Sequence, residues 1–218
     1  MLHTSLSLDY VMRPSNIEES APLLIMLHGY GSDENDLFSF ANELPEELLI
    51  VSARAPYSMQ PFGNAWYAIN FDAEKGKWND NVQAKQSVDL ISRFIDEIVA
   101  KYDAEKDNVT LLGFSQGTIL SYAVALTYPQ KAKNIVALSG YINQDILPED
   151  LNKEDYSHLD FYCSHGSLDQ VIPPDWARQT QPFLNTLQIK NVYSEFPVGH
   201  GVAPQNFYEF KEWLQKRI

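Results

Sequence analysis

Ser115, Asp169 and His200 are the three residues of this sequence that could together move a proton and an acyl group. Ser115 is the middle residue of Gly113-Phe114-Ser115-Gln116-Gly117, a Gly-x-Ser-x-Gly run. A neutral serine hydroxyl is a weak nucleophile and needs a neighbouring base to take its proton as it attacks. His200 can be that base, because Gly199 and Gly201 would let its loop bend sharply enough to reach across. Asp169 would then hold the imidazole in the right tautomer and stabilise its cation. A tetrahedral intermediate also needs two backbone donors for its oxyanion. The amide of Gln116 is one candidate, and that of Tyr30, in the loop His28-Gly29-Tyr30-Gly31, is the other. The base must be neutral to work, so turnover is expected to fall below about pH 6.5, the ordinary imidazole value.

Such chemistry requires an element that presents the serine. Asn108 to Leu112 is a β-favouring run, and Thr118 to Tyr128 is a helix-length stretch closed by Pro129. The pentapeptide between them has the strand–turn–helix setting of a nucleophile elbow. A Cβ at Gly113 or Gly117 would collide with the backbone of so sharp a turn, and the serine itself should be strained. The hydroxyl would stand above the strand end, at the N-terminus of the next helix.

The rest of the chain alternates strand and helix patterns. Leu6, Leu8, Tyr10 and Met12 alternate with Ser7, Asp9 and Val11, as in a half-exposed strand. Pro22 to Leu27, Leu48 to Val51, Ile135 to Leu138 and Asp160 to Cys163 read as strands, and Val192 to Phe196 as a more exposed one. Apolar strands of this kind suit a mainly parallel sheet covered on both faces. Val88, Ile91, Ile95, Ile98 and Tyr102 mark one face of a helix that begins near Asn81. Ser32 to Asp36 suits the capping of another helix. A further helix should start near Pro174 and turn Trp176, Thr180, Phe183 and Leu187 inward, with Pro182 kinking or shortening it. Phe207, Phe210 and Leu214 mark a last one, and Ala53 to Asp80 reads as irregular and rich in aromatic residues. Those aromatics could line a groove, although covering a core is the more frequent use. The reading is one α/β domain over residues 1–218, without repeat, linker or large cap.

In open α/β sheets, sites form at the carboxyl ends of the strands. The segments 28–31, 113–117, 165–169 and 199–201 all fall at such ends, hence on one edge. The order serine, aspartate, histidine is that of enzymes built on a nucleophile elbow. Asp160 and Asp175 are weaker candidates for the carboxylate. Among the other histidines, His28 and His165 precede glycines at strand ends and are expected to fix loops, whereas His3 and His158 face solvent. Cys163 reads as a core thiol. No histidine pair has metal-ligand spacing and no phosphate-binding glycine loop is present. The net charge of -13 argues against nucleic acid and anionic membranes. A single cysteine excludes an internal disulfide and, with no leader or apolar span, points to a cytoplasmic protein.

These residues resemble the phospholipase/carboxylesterase family of α/β-hydrolases, which includes bacterial carboxylesterases and acyl-protein thioesterases. The resemblance rests on Leu27-His28-Gly29-Tyr30-Gly31, Ala65-Trp66-Tyr67, the elbow, His165 to Pro173 and Gly199-His200. It implies a small, capless hydrolase of carboxylic esters or thioesters that uses no cofactor; lysophospholipid substrates and a homodimer remain open. It implies the same triad, Ser115, Asp169 and His200, the same oxyanion amides at Tyr30 and Gln116, and an acyl site bordered by Trp66 and Tyr67. The chain departs from the family in having Thr118 where a second glycine often follows the elbow, and in having Tyr30 and the acidic stretch Asp33 to Asp36. A tyrosine beside the oxyanion hole should narrow the acyl pocket and favour short chains. Two alternatives stand beside this reading. One is a peptidase or dienelactone-type hydrolase, although the latter uses cysteine at the elbow. The other is a binding protein that has kept the fold without the catalysis.

Overall fold

The computed structural model describes residues 1–72 and 76–218. Its strands are β1 (Tyr10–Arg13), β2 (Leu23–Leu27), β3 (Leu49–Ala53), β4 (Tyr57–Ser58), β5 (Asn64–Ala65), β6 (Ile69–Asp72), β7 (Gly76–Asn79), β8 (Val109–Phe114), β9 (Asn134–Leu138), β10 (Asp160–Gly166) and β11 (Lys190–Phe196). Seven of them form one sheet in the order β1-β3-β2-β8-β9-β10-β11. Every neighbouring pair is parallel except β1 with β3. β8, which leads into the elbow, lies at the centre of the sheet.

The two faces are filled by alternate residues of the same strands, as the period of two requires. Leu23, Ile25 and Leu27 of β2 join one core, together with Leu111, Ile135 and Phe161. Leu24 and Met26 join the other, together with Leu112, Val136 and Tyr162. On the first face lie α1 (Asn81–Tyr102) and α2 (Gln116–Thr127). On the second lie α5 (Pro204–Gln215) and a short 3-10 turn, Leu37–Glu43. α1 starts where the Asp80 carboxylate accepts from the amides of Val82 and Gln83, and it stops at Asp103 in the left-handed region. Eleven of the twelve residues of α2 are buried, which is why its sequence shows almost no polar face.

Four local expectations are corrected. Only Tyr10–Arg13 of the first predicted strand pairs in the sheet. The preceding segment folds back so that His3 bridges to Tyr10 and its ring stacks on the tyrosine at 4.9 Å. The acidic residues after Gly31 cap no α-helix. Asp36 precedes the 3-10 turn without a side-chain cap bond, because Ser32 already donates to its carboxylate at 2.8 Å. Residues 53–80 hold two small antiparallel hairpins, β4 with β5 and β6 with β7. The segment after Pro173 divides into α3 (Pro174–Arg178) and α4 (Thr180–Thr186). The division places Pro182 in the first turn of α4, where its missing N–H costs no helical hydrogen bond. It also turns Trp176 outward.

Candidate active site

β8 and α2 together make the elbow. Ser115 sits between them at φ 54 and ψ -114, a strained conformation for a residue with a side chain. Its own N–H donates to Leu138 O on β9 at 3.0 Å, which anchors the turn to the neighbouring strand. Close backbone approach explains the flanking glycines. A Cβ at Gly113 would lie 2.6 Å from the backbone of Gly117, and one at Gly117 would lie 1.9 Å from Leu27 O. The second contact presses the start of α2 against the end of β2, where the loop His28–Gly31 begins.

Thr118 has a job at the same junction. Its hydroxyl donates to Leu138 O at 2.6 Å and accepts from Leu138 N at 3.0 Å. Its methyl group takes up space that a Cβ on Gly140 would need, 2.4 Å away.

The expected trio converges. His200 Nε2 lies 2.9 Å from Ser115 Oγ, and His200 Nδ1 lies 2.6 Å from Asp169 Oδ2. The other carboxylate oxygen accepts from the amides of Val171 and Ile172 at 2.8 and 3.0 Å. Burial alone would push the Asp169 carboxyl up. The bonds from His200, Ile172 and Val171 outweigh it and leave the group below its ordinary value. A buried carboxylate saturated in this way stays ionised and keeps its imidazole partner oriented.

The remaining candidates fall elsewhere. Asp160 accepts from Arg217 at 2.7 Å, also pairs with Lys190, and belongs to the outer strands. Asp175 pairs with Arg178 on an exposed helix start. His28 is fully buried, with Nδ1 donating to Gly29 O at 2.7 Å and Nε2 accepting from Ala55 N at 3.1 Å. Its pKa is lowered chiefly by that burial, so it is a neutral brace for its own loop. His165 Nε2 contacts Ile172 O at 2.9 Å and thereby braces the Asp169 loop. His158 is exposed, with Nε2 on Pro129 O; His3 is half-buried against Tyr10 rather than fully in solvent. The Cys163 thiol is buried and pushed up to about 12 by desolvation, which suits a core residue.

A cavity of about 520 Å³ opens over Ser115 and His200. Tyr67, Ile69, Ile119, Val171 and Ile172 give it an apolar interior, and Tyr30 stands at its wall. The amides of Tyr30 and Gln116 donate to no acceptor among the described residues. Tyr67 lines the cavity, but Trp66 does not. The indole of Trp66 is fully buried, because its Nε1–H donates to His28 O at 2.9 Å behind the cavity wall. Its border position on the acyl site is therefore corrected to a supporting one.

The Gln116 side chain completes that support. Its Oε1 accepts from Trp66 N and its Nε2 donates to Tyr67 O, each at 2.8 Å. The elbow, the Trp66–Tyr67 segment and the His28–Gly31 loop are thus tied into one unit. Only the amide of Gln116 was required from the sequence. A lone amide side chain opening an otherwise apolar, buried helix was the available signal for the rest.

The central parallel sheet, the elbow at the end of its middle strand and the absence of a large cap among the described residues define an α/β-hydrolase fold. A solved structure of esterase PE8 superposes with a TM-score of 0.83 at 27% identity, covering 95% of this chain and 98% of that one. The carboxylesterase from Mesorhizobium loti has the same fold, with a TM-score of 0.83 at 20% identity over 99% of this chain and 98% of that one. Acyl-protein thioesterase 1 of Candida albicans is 27% identical over 213 residues, 91% of each chain. Residues 11–218 match the profile of the Phospholipase/Carboxylesterase family, and the chain belongs to that family of hydrolases. Among the described residues, no helix is long and apolar enough to cross a membrane.

Proposed function

We propose that this chain is a serine carboxylesterase that works through an acyl-Ser115 intermediate. His200 Nε2 takes the hydroxyl proton as Ser115 Oγ bonds to the ester carbonyl carbon. Asp169 stabilises the imidazolium, and the amides of Tyr30 and Gln116 receive the oxyanion. Collapse of the tetrahedral species breaks the bond to the alcohol oxygen, which leaves with the proton from His200. Water then enters by the same route. Its proton goes to His200, its oxygen attacks the acyl carbon, and Ser115 regains its hydroxyl as the acid departs.

The observation that carries this reading is the unbroken line of contacts from Asp169 to His200 to Ser115, at 2.6 and 2.9 Å. A cysteine-based variant of the chemistry is disfavoured by Cys163, which lies in the core away from the elbow. A binding protein has no need of the strain held at Ser115. Tyr30 at the cavity wall supports a preference for short acyl chains. Thioesters suit the same steps, and the likeness to an acyl-protein thioesterase supports including them. The acidic composition and the buried thiol fit a reducing, cytoplasmic setting.

A fluorophosphonate probe tests the nucleophile, with one adduct expected on Ser115 and none on Ser115→Ala. An intact protein that takes no adduct removes the enzyme reading. A series of aryl esters and matched thioesters of rising chain length then tests substrate range. Rates are expected to peak at short chains, and a peak at long chains would remove that preference.

A further inference from the structure

The cavity over Ser115 has a neighbour. Trp78, Asn79, Tyr141 and Trp176 line both it and a second cavity of about 570 Å³. Three large aromatic side chains therefore stand as a wall between two hollows. Trp78 is 42% exposed and Trp176 is 50% exposed. Large apolar groups gathered around a hollow mark a place where something binds. The rings of Tyr141 and Trp176 meet edge to face at 65° with centroids 5.1 Å apart, which fixes the two side chains against each other. Asn79 Nδ2 donates to the Tyr141 hydroxyl at 3.1 Å and steadies the wall.

Beyond the wall the chemistry changes. Besides Ile142 and Phe183, the second cavity is lined by side-chain amides, by Thr180 and by Asp145, the one charged residue among its described lining. Asp145 accepts from Asn81 Nδ2 at 3.4 Å, and among the described residues it makes no salt bridge. Lys85 does not line this cavity, although it shares a neighbouring groove with Asp145. A carboxylate without a salt-bridge partner, in a cavity also lined by aromatic side chains, selects a cation, which can gain from both. The net charge of -13 adds attraction at longer range.

We infer that the second cavity is a subsite for an ammonium group carried on the alcohol half of the substrate. This rests on the acyl-Ser115 reading. The hydrocarbon acyl chain matches the apolar cavity, and the alcohol half diverges from the same carbonyl carbon toward the aromatic wall and Asp145.

Two butyrate esters test the subsite, one of choline and one of 3,3-dimethylbutan-1-ol, which have the same shape and differ in charge. The ratio of their kcat/KM values is independent of how much of a variant is folded. It should favour choline about tenfold, the scale of a desolvated cation on aromatic faces. Asp145→Asn and Trp176→Leu should each lower the ratio by about threefold, since the cation gains from both. Hydrolysis of the neutral ester with a ratio near one overturns the subsite and leaves the acyl-serine reading standing. A preference left unchanged by both substitutions also overturns it, because the net charge would then be its source. Failure to cleave either ester overturns the acyl-serine reading, and the subsite falls with it.

Discussion

Trp66 donates its indole N–H to the carbonyl oxygen of His28 at 2.9 Å, although it has no surface in the cavity. It acts on the loop that presents the Tyr30 amide. Trp66→Phe keeps most of the ring volume and removes that donor. The expected result is a fall of about tenfold in kcat, a fraction of the loss seen when an oxyanion donor is removed outright. KM should stay within about twofold, since ground-state contacts are untouched. Steady-state kinetics on a short aryl ester check this, and an equal rise in KM with unchanged kcat would refute it.

Asp169→Asn removes the charge that orients His200 and leaves an amide in its place. A loss of about 10⁴ in kcat is expected, from the wrong imidazole tautomer. The Val171 and Ile172 amides can still donate to the new side chain, so the fold should survive. Circular dichroism beside the kinetics separates the two effects, and a loss below tenfold would exclude the carboxylate from the reaction.

Ser115 is held at φ 54, where glycine is comfortable and serine is not. Ser115→Gly should therefore raise stability by about 1 kcal/mol while abolishing turnover. For a chain of this size that is a rise of about 2–4 °C in Tm. A lower Tm in the variant would mean the elbow is unstrained.

His28 and Asp169 are two of the buried groups that shape the acid side of the stability curve, beside Glu34 with its Arg54 partner. His28 titrates lower in the fold than in the open chain, so the unfolded state binds the proton first. Stability should begin to fall as pH drops through about 6.5, the ordinary imidazole value. Asp169 also titrates lower in the fold, so its contribution is complete above about pH 3.9 and is lost as pH falls through the native value. Thermal melts from pH 8 to pH 3 should show His28→Gln flattening only the first limb. An unchanged first limb would rule His28 out.

Thr118 and Gly140 are coupled sterically, and the coupling can be measured. Gly140→Ala alone should cost about 1–3 kcal/mol, because the new methyl meets the threonine side chain. Thr118→Gly alone loses the hydroxyl that bonds both backbone groups of Leu138. The double variant should be less destabilised than the sum of the two, and strict additivity in denaturant melts would refute the contact.

Much of the fold was legible because buried parallel strands announce themselves as apolar runs, as Leu23 to Leu27 and Ile135 to Leu138 do. The elbow was legible because Gly113 and Gly117 answer to a steric need that few other residues meet. Asp33 to Asp36 misled because short acidic side chains satisfy any nearby N–H or hydroxyl, whether or not an α-helix follows. Trp66 misled because a tryptophan in a loop looks the same whether its N–H finds water, substrate or a carbonyl. The pairing of β6 with β7 left no alternation strong enough to read, and Asn79 within it bonds to the distant Tyr141.

The sheet holds its elbow at the centre, whereas the aromatic wall is assembled from an appended hairpin, the turn after β9 and the start of α3. Changes at the wall therefore leave the Asp169–His200–Ser115 line of contacts in place. Substitutions at Trp78 or Trp176 would alter the wall without touching the side chains of Ser115, Asp169 or His200.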